Sequence, residues 1–247
     1  PTGSSRIPNI PGDAVPRAEP RSRYGNGPVY EVLGKRYTVM PSSAGYQARG
    51  VASWYGKKFH GNLTSNRETY NMYAMTAAHK TLPLPTYVRV RNLRNNKSIV
   101  VRVNDRGPFV HNRIIDLSYA AAMKLDMIRD GTSLVEVTAI SFDKPTGDRP
   151  VRSSSPPAPP APAGRAEVAT NRIFVQVGAF GDRANAERRL GALSQAGIRS
   201  AFIHKESSAD QVLYRVRIGP VADVVQYDVL VEELENIGIT DPYLITE

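Results

Sequence analysis

Apolar and polar positions change rhythm several times along this chain. Residues 1–28 have none: Pro, Gly, Ser and Arg recur without periodicity, which predicts a disordered tether. The more apolar YEVLGKRYTVM, residues 30–40, predicts an extended arm that packs on the next segment of the chain. From 48 to 142 the pattern is short and mostly of period two. GVASWYG predicts a strand that ends at Gly56. In TYVRVRNLRNNKSIVVRVNDRGP, Val88 and Val90 alternate with Arg89 and Arg91, Asn95 and Asn96 make a turn, and Ile99 to Val103 return. That is a hairpin pattern. SYAAAMKL predicts a helix with Asp116 or Ser118 as its N-cap, and LVEVTAISF a closing strand. Many short strands with few helices favour a small barrel.

Residues 143–170 hold seven prolines and predict an extended polyproline-type linker. Beyond it, 171–247 reads β-α-β-β-α-β: RIFVQVGAF, a helix over Ala184–Gln195 stopped by Gly197, SAFIHKE, VLYRVRIGP, a helix over Val224–Ile237, and PYLIT. This order suits a four-stranded sheet backed by two helices. Period two sends Val175, Val177 and Ala179 toward the helices. It leaves Gln176, Arg215 and Arg217 on the open face, with Tyr214 inward.

The formal net charge of +9 is unevenly placed. Residues 48–142 carry 14 Lys and Arg against 6 Asp and Glu, whereas 170–247 carry 8 against 11. The basic field therefore belongs to the middle of the chain and suits a polyanion such as nucleic acid, anionic lipid or a carboxylate-bearing polysaccharide. The absence of cysteine excludes disulfides and thiolate metal sites. The scattered histidines have no metal-ligand spacing, and neither a nucleophile elbow nor a phosphate loop occurs. No cofactor is expected.

GVASWYGKKFHGNLTSNRETYNMYAMTAAHKTLPL, followed by VRVNDRGPFVHNRIIDLSYAAAMKL, resembles the double-psi β-barrel of the rare lipoprotein A family. VQVGAF and YRVRIGP resemble a SPOR domain. The resemblance implies a mainly β and α+β chain: tether and arm (1–47), six-stranded double-psi barrel (48–142), linker (143–170) and SPOR domain (171–247). It implies a peptidoglycan lytic transglycosylase acting on glycan strands without stem peptides. The family is expected in the periplasm, on the outer membrane through an N-terminal lipid, and at the division septum.

Lytic transglycosylation needs a group that protonates the glycosidic oxygen and then deprotonates the C6 hydroxyl. It also needs a group that stabilises an oxocarbenium-like transition state. Asp105, in Asn104-Asp105-Arg106-Gly107-Pro108, and Glu68, in Thr64-Ser65-Asn66-Arg67-Glu68, match the family's essential carboxylates. Taken alone, the first fits an Asx turn and the second an exposed loop. The residues do not rank the two as proton donor, and the neighbouring Arg67 and Arg106 are placed to hold both ionised. His79 matches a third site member expected to orient a carboxylate; by itself it reads as a structural histidine. Trp54 and Tyr55 are candidate sugar platforms, with strand alternation sending one inward. Gln176, Arg215 and Arg217 are candidate glycan contacts in the second domain. Asp116 reads as a helix cap, and Arg89, Arg91 and Arg102 as a solvent face.

The β-α-β-β-α-β order also describes an RNA-binding module. That module needs stacking aromatics and a basic field, so nucleic acid is not an expected partner. A non-lytic, expansin-like glycan binder and a septal scaffold remain alternatives, because carboxylates also serve binding.

Overall fold

The computed structural model describes residues 10–110, 112–142, 172–207, 211–240 and 242–247. The expected proline-rich linker lies outside them. A hairpin of β1 (Val29–Val32) and β2 (Lys35–Thr38) forms the arm. Leu33 and Gly34 turn it, both at positive φ, the conformation that a two-residue hairpin turn demands.

Six strands then close a barrel: β3 (Gln47–Tyr55), β4 (Thr76–His79), β5 (Thr86–Asn92), β6 (Ser98–Asp105), β7 (Arg113–Ser118) and β8 (Ser133–Ala139), in the order β3-β7-β4-β6-β5-β8. The hairpin of the sequence pattern is β5–β6, with Val88 opposite Val101. The pairs β3–β7 and β4–β6 are parallel. Their strands β4 and β7 are short and broken by His79 and Asp116, so alternation did not reveal them. Val88, Val90, Val101, Val103, Ile115, Leu117 and Val137 fill the interior. Helix α1 (Tyr119–Lys124) packs below β7, and its cap is Ser118, whose Oγ accepts from Ala121 N at 3.2 Å. Asp116 does not cap it.

Residues 10–28, read as part of a tether, lie against the barrel. Ala14 N donates to Val100 O at 3.0 Å, and Val100 N donates to Asp13 Oδ2 at 3.0 Å. On its open edge β6 pairs with β4 only from Arg102 upward, so the segment satisfies backbone that would otherwise face water.

The second unit comprises β9 (Ile173–Phe180), α2 (Arg183–Gln195), β10 (Ala201–Ser207), β11 (Val212–Ile218), α3 (Val224–Asn236) and β12 (Tyr243–Thr246). The sheet is antiparallel, in the order β10-β11-β9-β12. Val175, Val216, Ile218, Leu193, Leu230 and Leu234 form its core. A bulge breaks the alternation: Arg217 faces Gln176, but Val216 faces Gly178, so Val177 is the extra residue. Ala179 is therefore turned outward and exposed, not toward the helices. The two units touch where Arg113 grips the Asp228 carboxylate at 3.0 Å and Arg49 Nη1 donates to Leu244 O at 3.1 Å. No helix among the described residues is long and apolar enough to cross a membrane.

Leu117 is fully buried in the strand that closes the barrel. Leu117→Ala is expected to cost about 2–5 kcal/mol. Urea denaturation checks this as a lowered midpoint at unchanged slope.

Candidate active site

The site begins with a bulge in β6. Ala77 faces Val103, yet Ala78 faces Asp105, so Asn104 is inserted. Strict alternation would send Asp105 inward beside the core residue Val103. The extra residue turns it to the face that carries Arg102. Register extends that rung across four strands, through Ser53, Asp116, Ala78 and Asp105. With strands about 4.8 Å apart, only the small side chain of Ala78 separates two carboxyl-bearing strands.

Asp105 Oδ1 accepts from Ser65 N at 2.8 Å, Ser65 Oγ at 2.6 Å and Arg106 N at 2.8 Å. Asp116 accepts from Ser53 Oγ. Burial pushes its carboxyl up, against the hydrogen bond from Ser53 and the charges of Lys80 and Arg113. It is a member of the site that the cap reading passed over.

Glu68 lies at the end of a tight loop. Thr64 N donates to Glu68 O at 2.8 Å, and Arg67 takes a φ of 71° to close the turn. Arg102 Nη1 donates to both Glu68 oxygens, at 2.9 and 2.7 Å, and Asn104 Nδ2 donates at 2.8 Å. Burial alone would raise this carboxyl. The bonds from Arg102 and Asn104 and the Arg102 charge outweigh it, and Glu68 is held below its ordinary range. Arg102 is thus part of the site and not a solvent-face residue.

Neither sequence-neighbour arginine pairs with these carboxylates. Arg67 lies 5.4 Å over the Tyr24 ring. The Arg106 guanidinium turns away to Gly25 O at 2.7 Å and Leu82 O at 2.5 Å, and Arg106 Nη1 reaches His79 O at 3.2 Å. His79 itself touches no carboxylate. Its Nδ1 accepts from Thr81 N at 3.1 Å and Leu82 N at 3.0 Å, so the proton is on Nε2, which meets Tyr46 Oη at 2.8 Å. His79 braces the turn whose carbonyls hold Arg106, and it reaches the Asp105 loop only through that residue.

Tyr55 stacks on Tyr70 with centroids 4.3 Å apart, and burial, with the Asp105 charge, raises its hydroxyl pKa. Trp54 packs edge-on against Tyr119 at 5.6 Å. The more exposed rings nearby are Phe59 and Tyr73, which strand alternation had no means to find because they lie outside the strands, Phe59 in the short 3-10 turn Lys57–Phe59. Among the described residues, no group of His, Asp or Glu is placed to hold a metal ion.

In the second unit Gln176 and Arg217 share a rung with Phe202 and Tyr243. Arg217 is buried and bonded to Glu247, and Arg215 is paired with Glu206. Both arginines expected on the open face are therefore engaged by carboxylates of this chain.

The buried, neutral His79 has a pH signature. Burial, then the charges of Arg106 and Lys80, lower its pKa to about 3. An unfolded chain takes up a proton near pH 6.5 while the folded one does not, so stability falls as pH drops from about 6.5 toward 3. Thermal midpoints measured across that window are expected to fall more steeply for the wild type than for His79→Gln, which has no group to protonate.

Residues 47–137 match the family model described as lytic transglycolase, and 169–246 match the SPOR domain. The endolytic peptidoglycan transglycosylase RlpA of Pseudomonas aeruginosa is 37% identical over 98% of this chain and 81% of its own length. The protein of the same name from Neisseria meningitidis is 42% identical over 85% and 80%. That of Vibrio cholerae is 57% identical over 56% of this chain, a match that spans 52% of the relative. With a closed double-psi barrel followed by a SPOR domain, this chain belongs to the RlpA family.

Proposed function

We propose that this chain cleaves the MurNAc–GlcNAc bond of peptidoglycan strands lacking stem peptides, as an endolytic lytic transglycosylase that leaves 1,6-anhydroMurNAc ends. The observation that carries this reading is the unequal treatment of two carboxylates. Glu68 is held ionised by Arg102 and Asn104, whereas Asp105 is gripped by no cation and its three accepted bonds all fall on Oδ1. This reading assigns Asp105 as the proton carrier, through Oδ2, and Glu68 as the fixed anion.

Asp105 gives its proton to the glycosidic oxygen as the bond from C1 breaks. Positive charge develops at C1 and the ring oxygen, and the Glu68 carboxylate stabilises it. The C6 hydroxyl oxygen closes on C1, and its proton returns to Asp105. No water is consumed, and the carboxyl ends as it began. Trp54 and Tyr55 are the sugar platforms of this reading, and His79 holds the loop through Arg106.

The SPOR domain supports recruitment to peptide-free glycan at the division septum, with Gln176 as a contact and with Arg215 and Arg217 joining it by exchanging Glu206 and Glu247 for glycan carboxylates. Glycan of this kind exposes lactyl carboxylates that match the basic barrel. The family resemblance supports a periplasmic protein held to the outer membrane by an N-terminal lipid.

Digestion of purified, peptide-stripped glycan, read by mass spectrometry, tests the chemistry. The wild type is expected to yield 1,6-anhydro ends. Asp105→Asn and Glu68→Gln are each expected to lose at least 100-fold in rate, on the order of a removed acid–base or charge-stabilising group. Reducing ends in place of anhydro ends would mean hydrolysis. Binding without any new ends would favour the expansin-like or scaffold reading. Deleting 171–247 is expected to weaken glycan affinity and abolish septal recruitment of a fluorescent fusion.

A further inference from the structure

Residues 11–26 run along the barrel as a strap. It is pinned at one end by Asp13, which pairs with Lys124 at 2.5 Å, in the middle by Ser22 N, which donates to Leu84 O at 2.8 Å, and at the other end by Gly25 O beneath Arg106. Between the first two pins the strap delivers Glu19 to Arg102. Arg102 Nε and Nη2 donate to Glu19 Oε1 and Oε2 at 3.0 and 2.8 Å, and the Tyr87 hydroxyl donates to the same carboxylate. The remaining prong of that guanidinium, Nη1, is the one that holds Glu68. One cation thus lies between two carboxylates, with the Arg102 and Glu19 side chains 18% and 17% exposed. The hydrogen bonds from Arg102, with those from Tyr87 and Arg17, hold Glu19 at a pKa of about 2.

Elementary electrostatics gives this arrangement two properties. A long arginine held by one partner alone keeps much of its rotamer freedom, whereas a two-pronged grip on Nε and Nη2 fixes the plane of the guanidinium. The Arg102 guanidinium is also shared: Glu19 competes with Glu68 for it, while Arg17 Nε, 3.2 Å from Glu19 Oε1, offsets the charge that Glu19 brings.

We infer that Glu19 is a positioning residue of the active site, acting through Arg102 to fix the orientation of Glu68. The strap is then a working part of the site and not a spacer. This inference rests on the role of Glu68 given above.

The test uses the full chain. Glu19→Gln keeps an oxygen for Arg102 and removes the charge; Asp130→Asn removes the exposed ion pair with Arg94, outside the strap, and serves as control. On peptide-stripped glycan, Glu19→Gln is expected to lower kcat about tenfold with KM within about twofold, while Asp130→Asn stays near the wild type. The Glu68 carboxyl, followed by carbon NMR against pH, is expected to titrate lower in Glu19→Gln, because Arg102 then acts on it without a competing anion. In a Glu68→Gln background Glu19→Gln is expected to add little further loss. An unchanged or raised Glu68 midpoint, fully multiplicative losses, or an effect on KM alone would overturn the inference. A Glu68→Gln chain as active as the wild type would instead overturn the site assignment, an outcome that the titration reads separately.

Discussion

One extra residue in β6 decides what the barrel can do. A closed barrel has a strict inside and outside, and an unbroken strand would have committed Asp105 to the same side as Val103. An ionised carboxylate there would face a fully apolar interior at a cost of several kcal/mol. The insertion of Asn104 moves Asp105 to the outer face without breaking barrel closure. The same residue then donates to Glu68. The site is accordingly built on backbone already fixed by the sheet, with the 64–68 loop clamped over it by its own hydrogen bonds.

Around that centre the arginines do different work from what a net charge of +9 implies. Arg106 is consumed by carbonyls, Arg67 by an aromatic face, and Arg217 by the terminal Glu247. Only Arg102 is spent on the Glu68 carboxylate, and it is shared with Glu19. A guanidinium facing carbonyls orients a loop without claiming the acid beside it. This explains how Asp105 can have an arginine as its next neighbour in sequence and no ion pair with it.

Strands with clean alternation were legible from sequence: β5 and β6, β9 to β11, and the helices α2 and α3 fall where periodicity placed them, within a residue or two, while β8 ends three residues before the predicted strand does. The cap of α1 was narrowed to two residues, and the structure selects Ser118. Bulges were not legible, because an inserted residue changes the facing of a side chain without changing composition. That is why Ala179 points outward and why the aim of Asp105 needed the three-dimensional register. Short strands such as β4 and β7 also escaped, since three or four alternating positions are too few to stand above the background.

By itself the sequence determined the two units and the strand and helix order of the second, which depend on local periodicity that one-dimensional order preserves; the family resemblance of short motifs, and not periodicity, singled out Glu68 and Asp105. Tertiary structure alone decided that Arg102 joins Glu19 to Glu68 across 83 and 34 positions of chain. It also decided that Asp116 belongs to the rung of Asp105 and that His79 serves a backbone turn. These are long-range pairings. They are fixed by barrel closure and strand register, which no local stretch of sequence encodes.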